Sequence, residues 1–254
     1  MDPKHASTAD DPARFHTTRW SAILVAAQSQ LPGSQAALSE LCRLYWYPLY
    51  AFARRRGQGP SDAQDLTQGF FLHLLEHRAL KQVQPLKGKF RSFLLASFQN
   101  FILDETSRAR CLKRGGNREF VFLDAEDAES RYRLEPVDVL TAEKIYDARW
   151  AMTLLGHAVE RLRQEYAARD ETSRFDVLQI FVGVGEEKTP PSYEEVAKSL
   201  RLSVGAAKTL IHRFRKRYGA ILRGEIGRTV TDPAEIEQEI HALCDALVAA
   251  EGRI

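Results

Sequence analysis

Apolar residues recur at three- and four-residue intervals along most of this 254-residue chain, the period of helices with one buried face. Trp20, Ile23, Leu24 and Ala27 predict a short helix over Trp20 to Gln28. After LPGS, the positions Leu38, Leu41, Cys42, Tyr45, Leu49 and Phe52 predict a longer one from Gln35 to Arg56, which Pro48 should kink or divide. GQGP breaks the pattern. Ser61 then stands where an N-cap belongs, and Leu66, Phe70, Leu74 and Leu75 form the stripe of the next helix. The loop KQVQPLKGK leads into a long helix from about Phe90 to Lys113, rich in phenylalanines that suit a core. Glu119 to Thr141 lacks this period and reads as a linker, with EFVFL as extended chain. Helices resume at about Asp147 to Ala168 and Thr172 to Phe181, followed by the loop VGVGEEKTPP. The expected fold class is all-α.

One stretch, QDLTQGFF, sits awkwardly in its helix. Gly69 costs a helix interior roughly 1 kcal/mol relative to Ala, so the position needs a reason in what it touches.

The segment SYEEVAKSLRLSVGAAKTLIHRFRKRYGAIL has a more specific form. Ser192 and Glu195 make a capping box that opens a helix to Leu200. Leu202 plugs a tight turn, and Ser203 caps a second helix. There Val204, Ala207, Leu210, Ile211, Phe214, Tyr218 and Ile221 share one face, while Lys208, Thr209, His212, Arg213 and Lys216 collect on the other. That is a helix-turn-helix whose second helix can enter a major groove. Arg201 takes the turn position where Gly is usual, so a left-handed backbone is expected there.

Charge sharpens the picture. A formal net charge of +2 hides blocks of opposite sign. Lys87 to Arg118 holds eight bases against two acids, and Arg201 to Arg228 eight against one. Between them, Glu119 to Asp147 holds nine acids against three bases; the tail from Thr229 to Ile254 holds six against one. Two basic blocks, each coinciding with a helical motif, point to two polyanion-binding surfaces. Three widely spaced cysteines, Cys42, Cys111 and Cys244, fit neither a disulfide framework nor a zinc finger. No apolar run approaches the ~20 residues of a membrane helix, and the polar start, expected disordered over residues 1–18, does not resemble a signal peptide. A cytoplasmic protein without cofactors is expected.

The helix-turn-helix resembles region 4 of bacterial RNA polymerase sigma factors of the extracytoplasmic-function type. Independently, SDAQDLTQGFFLHLLEHRAL followed by KGKFRSFLLASFQNFILDETSRAR is similar to their region 2, in the expected order. The resemblance covers about Gln35 to Arg114 and Asp147 to Leu222. It implies two helical modules, region 2 over 19–114 and region 4 over 147–227, joined by an acidic linker over 115–146 and followed by an acidic helical extension over 228–254. It also implies partners: the β′ clamp and β flap of core RNA polymerase, and promoter DNA. Lys208, Thr209, His212 and Arg213 match positions that read the −35 element, with Lys216 beside phosphate. Lys89, Phe90, Arg91 and Asn100 match the segment that captures a flipped base of the −10 strand, with Arg108 and Arg110 on nearby phosphates. Asp62, Asp65 and Gln68 match the clamp-facing surface, where the family's acidic pattern is thinned by Gln64 and Gly69. Thr67, expected on that same surface, is a candidate phosphorylation switch, which makes a Ser/Thr kinase a further candidate partner beside an anti-sigma factor.

Two other classes compete. His73, Glu76 and His77 spell the inverted zincin pattern, which would also need a downstream acidic ligand and a cleft. A helix-turn-helix regulator acting without polymerase is the other, and binding to core enzyme separates it from a sigma factor. The chain is not expected to be an enzyme. The tail's Ile236, Ile240, Leu243 and Leu247 predict one more helix, which either screens the basic second helix of the helix-turn-helix or completes its core.

Overall fold

The computed structural model describes residues 34–76, 89–111, 125–133, 140–183, 189–230 and 232–250. The helix expected over Trp20 to Gln28, the EFVFL stretch and His77 lie outside the described residues. Those described form nine α-helices and no strand. In chain order they are α1 (Ser34–Arg55), α2 (Pro60–Glu76), α3 (Phe90–Cys111), α4 (Ala125–Arg133), α5 (Ala142–Ala167), α6 (Thr172–Leu178), α7 (Tyr193–Leu200), α8 (Val204–Gly227) and α9 (Ile236–Ala250). The expected all-α class is what the chain adopts.

α1 is the centre of the larger core. It runs unbroken through Pro48, and every residue from Leu44 to Ala53 is buried. A helix apolar on all sides must be surrounded, and α2, α4 and α5 pack around it. Tyr45 stacks on Trp150 of α5 at 6.2 Å and meets Phe90 of α3 edge-on at 5.4 Å. Phe98 of α3 packs against Phe52 and against Phe70 of α2. Burial pushes the Cys42 thiol up to about 12, so it stays protonated and serves as packing.

The unusual glycine has a neighbour. A Cβ on Gly69 would stand 3.3 Å from Cζ of Phe101, tighter than ordinary van der Waals contact. Gly69 therefore lets α3 approach α2 closely, and its role is packing rather than lost surface charge.

α5 contains 26 residues and belongs to two cores. Ile145, Tyr146, Trp150 and Leu154 enter the first; Ala158, Leu162 and Tyr166 enter a second, built with α6, α7 and α8 around Phe175 and Phe214. The module boundary expected between 146 and 147 thus falls inside a continuous helix. Part of the expected linker is also helical. α4 has no apolar period because it docks through polar groups instead. Glu129 accepts from Tyr50 Oη at 2.7 Å and from Arg54 Nε at 2.9 Å, and Arg131 lies over the Tyr47 ring. Burial alone would raise the Glu129 carboxyl, but these hydrogen bonds outweigh it and hold the group below the usual carboxylate range.

The tail forms the expected helix, α9, but it neither screens α8's basic face nor joins that helix's core. It lies on α5 and the end of α8, and Leu243 and Ala250 are buried in the first core.

Two substitutions test this packing. Trp150→Ala should cost about 3–5 kcal/mol, measured by chemical denaturation, with both cores lost in one transition because α5 serves both. Gly219 in α8 has nothing within 4 Å of a built Cβ, so Gly219→Ala should stabilise by about 0.5–1 kcal/mol. Gly69→Ala should lack that gain, because Phe101 must move; equal gains at both positions in thermal melts would refute the close approach.

Candidate nucleic-acid interface

α7 and α8 form the helix-turn-helix through local chemistry. The Ser192 amide donates to Glu195 Oε2 at 2.7 Å and the Glu195 amide to Ser192 Oγ at 3.3 Å, closing the capping box. These bonds hold the exposed Glu195 carboxyl below its ordinary range. Arg201 adopts φ 53° and ψ 46°, the left-handed turn expected of it. The Leu202 amide donates to the Ala197 carbonyl at 2.8 Å, and Ser203 Oγ accepts from Ala206 to cap α8. Ala207, Ile211 and Phe214 are buried, which fixes the rotation of α8 about its axis. The other arc faces outward: Lys208, Thr209, His212, Arg213 and Lys216 are all exposed. Lys208 Nζ sits 5.2 Å from the Tyr193 ring centre, and Thr209 Oγ1 donates to the Gly205 carbonyl. This face carries positive charge and hydrogen-bonding groups within reach of base edges and phosphates.

On the other module, the structure divides the residues assigned to single-strand capture. Asn100 is exposed and lines a groove of about 220 Å³ with Phe52, Arg56, Gln99, Ile102 and Leu103. Apolar walls with amide and guanidinium edges suit an unstacked base. Phe52, read from the sequence only as a core position, and Arg56 were not assigned to this site, because they come from the end of α1 and the turn after it and meet Asn100 only in the fold. Arg108 and Arg110 fall in the last turns of α3, with side chains outside the described part.

Phe90 and Arg91 are a correction. Phe90 is 2% exposed and packs between Tyr45 and Phe93; Arg91 is 8% exposed. Two carboxylates draw Arg91 inward. Its Nε donates to Glu239 Oε1 at 2.5 Å, Asp147 pairs with its Nη1, and the guanidinium lies over the Trp150 ring at 5.3 Å. Lys89 Nζ lies 2.7 Å from Glu239 Oε2. Burial opposes the charge on Arg91, yet these partners more than offset it and hold the guanidinium firmly protonated. The missed residue, Glu239, had a signal in the sequence: it stands on the apolar stripe of Ile236, Ile240 and Leu243, where a lone acid needs a partner.

The clamp-facing set divides too. Asp62 and Asp65 are exposed and Gln68 is half-buried on α2. Thr67 is not on that surface. It has no exposed area, and its Oγ1 donates to the Ala63 carbonyl at 2.7 Å. Five residues after Asp62 on a 3.6-residue helix, its side chain points to the core side rather than along the acidic face. His73, from the zincin-like pattern, packs against Phe101 at 5.4 Å. Among the described residues no group of three or more His, Cys, Asp or Glu is arranged to hold a metal ion, and no helix is long and apolar enough to cross a membrane.

Comparison with known proteins agrees with the sequence resemblance. Residues 43–111 match the family model of sigma-70 region 2. The chain is 29% identical over 188 residues to the ECF RNA polymerase sigma factor SigE of Mycolicibacterium smegmatis, an alignment covering 72% of this chain and 62% of that relative's length. No solved structure matches. The match to region 2 runs from within α1 to the end of α3, and the helix-turn-helix follows it in the order that the resemblance to extracytoplasmic-function sigma factors implies.

Proposed function

We infer that this protein is a promoter-specificity subunit acting in the cytoplasm. It binds core RNA polymerase through the acidic surface of α2, reads an upstream promoter element with α8, and captures an unstacked base of the opened strand in the groove beside Asn100. The observation that carries this reading is the capped helix-turn-helix with all five of its polar candidates outward, in one chain with a region 2 match. Asp62 and Asp65 stand ready for a basic patch on the polymerase, and the β flap is the natural seat for the region 4 module. The protein performs no chemistry itself. Transcription by core enzyme supplemented with this chain, followed by sequencing of the transcripts, tests the proposal. Failure to bind core while binding duplex DNA alone would favour a regulator acting without polymerase.

On a cognate upstream element, Arg213→Ala or Lys208→Ala should cost about 1–3 kcal/mol if the side chain makes a bidentate base contact. Lys216→Ala should weaken binding to all sequences alike and flatten the salt dependence, as loss of one phosphate contact does. Equal transcription from cognate and scrambled upstream elements by the wild-type holoenzyme would remove α8 from sequence reading.

Control by phosphorylation at Thr67 fits this reading only through an opened state. A phosphate adds about −1.5 to −2 charge and three acceptor oxygens, whereas Thr67 is fully buried with its Oγ1 donating to the Ala63 carbonyl. Incorporation at Thr67 should therefore accompany faster amide exchange along α2, read by hydrogen exchange with and without a Ser/Thr kinase. Stoichiometric phosphate with α2 as protected as before would overturn the packing described here.

A further inference from the structure

Tyr193 and Lys208 join the two helices of the helix-turn-helix on their outer side. Lys208 Nζ of α8 sits 5.2 Å from the centre of the ring of Tyr193, the first residue of α7. Neither side chain belongs to the core: Tyr193 is 40% exposed, and Lys208 is exposed as well. Both are nonetheless anchored. The capping-box bonds between Ser192 and Glu195 close around the backbone at Tyr193. Ala207 and Ile211, buried on either side of Lys208 along α8, fix the direction in which it leaves the helix.

A lysine on a helix surface samples many rotamers, and that freedom is lost when its ammonium is held against a base. The negative face of an aromatic ring attracts an ammonium within about 6 Å, so the Tyr193 ring restrains Lys208 before DNA arrives. The direction suits reading. In a helix-turn-helix the first helix crosses the DNA backbone, while residues near the start of the second reach base edges. Tyr193 opens the first helix and Lys208 lies one turn into the second. The ring engages the ammonium as a charge and leaves N–H donors for a base, and guanine presents O6 and N7 as adjacent acceptors. Thr209 has its hydroxyl hydrogen committed to the Gly205 carbonyl at 3.0 Å, which leaves it an acceptor toward DNA beside the donor Lys208.

We propose that Tyr193 is a positioning residue for sequence readout. It touches no base; by holding the Lys208 ammonium in place it sharpens the preference for guanine at the step that Lys208 reads. This rests on the reading of α8 as the duplex-reading helix.

The test uses holoenzyme assembled from core RNA polymerase and the full chain, with transcripts sequenced from a promoter pool randomised over the upstream element. Lys208→Ala marks the position that Lys208 reads. Tyr193→Leu keeps apolar bulk but removes the ring face, and should lower the preference at that position by about threefold while other positions keep theirs. Tyr193→Phe keeps the face and should match wild type. In the Lys208→Ala background, Tyr193→Leu should change nothing further, an outcome that a merely structural role for the ring would not produce. An unchanged or sharper preference in Tyr193→Leu, a loss spread alike over all positions, or an equal loss in Tyr193→Phe overturns the proposal. Should Tyr193→Leu melt below wild type, Tyr193→Trp decides, since indole attracts cations more strongly: a sharper preference at the Lys208 position supports the contact, and no change counts against it. Wild-type transcripts without preference anywhere in the upstream element remove α8 from sequence reading and this proposal with it. Wild-type preference fully retained by Tyr193→Leu removes the positioning role alone and leaves the proposed function standing.

Discussion

The two hydrophobic cores share one rigid rod. α5 buries Trp150 and its neighbours against α1, then continues without a break to bury Leu162 and Tyr166 among α6, α7 and α8. A flexible linker would leave the modules free to find their separations on DNA independently. Here the connection is helical where the cores meet, so the orientation of the helix-turn-helix in the free chain follows from how tightly α5 sits on α1. Tyr45, Trp150 and Phe90 supply much of that grip, and removing large aromatic side chains from such a site costs several times the thermal energy.

Charge is arranged in the same spirit. The blocks of opposite sign along the chain do not simply remain solvated. Glu129, from the acidic stretch, pins α4 to α1 through Arg54 and Tyr50, and Glu239, from the acidic tail, meets the cations at the start of α3. Asp147, which faces the same arginine, has its carboxyl pushed above the ordinary range by burial, with Glu239 adding to the effect against the opposing pull of Arg91. On α8, Lys208, Arg213 and Lys216 stay outward, whereas Arg223 further along the same helix pairs with Glu237 of α9.

Helices with a clean apolar period were legible from the sequence: α1, α2, α3, α7 and α8 follow their stripes, and the turn at Arg201 followed from cap positions alone. What escaped was everything decided by contacts between distant segments. α4 has no stripe because it docks through a carboxylate, so period reading passed it over. The outward arc of α8 could be read because one buried face dictates the other. The assignment of Arg91 could not, since a basic residue beside phenylalanines is equally at home against DNA or against a buried acid, and the deciding partner lies 148 positions further on. Thr67 failed for a similar reason: which side of α2 is covered is settled by the elements packed on it, and Thr67 falls on a covered side.

The bond between the Phe90 amide and the Thr229 carbonyl, with Leu243 and Ala250 seated in the same core as α1, has a consequence for how the chain is made. A ribosome delivers α1, α2 and α3 long before α9, so the first core stays open on one side through nearly the whole of synthesis. The core that holds Tyr45, Phe90 and Trp150 waits for α9 to emerge, and contacts of such wide sequence separation form slowly. A nascent chain that has not yet delivered α9 therefore presents that surface to chaperones and proteases, so α9 shields the first core as well as completing it.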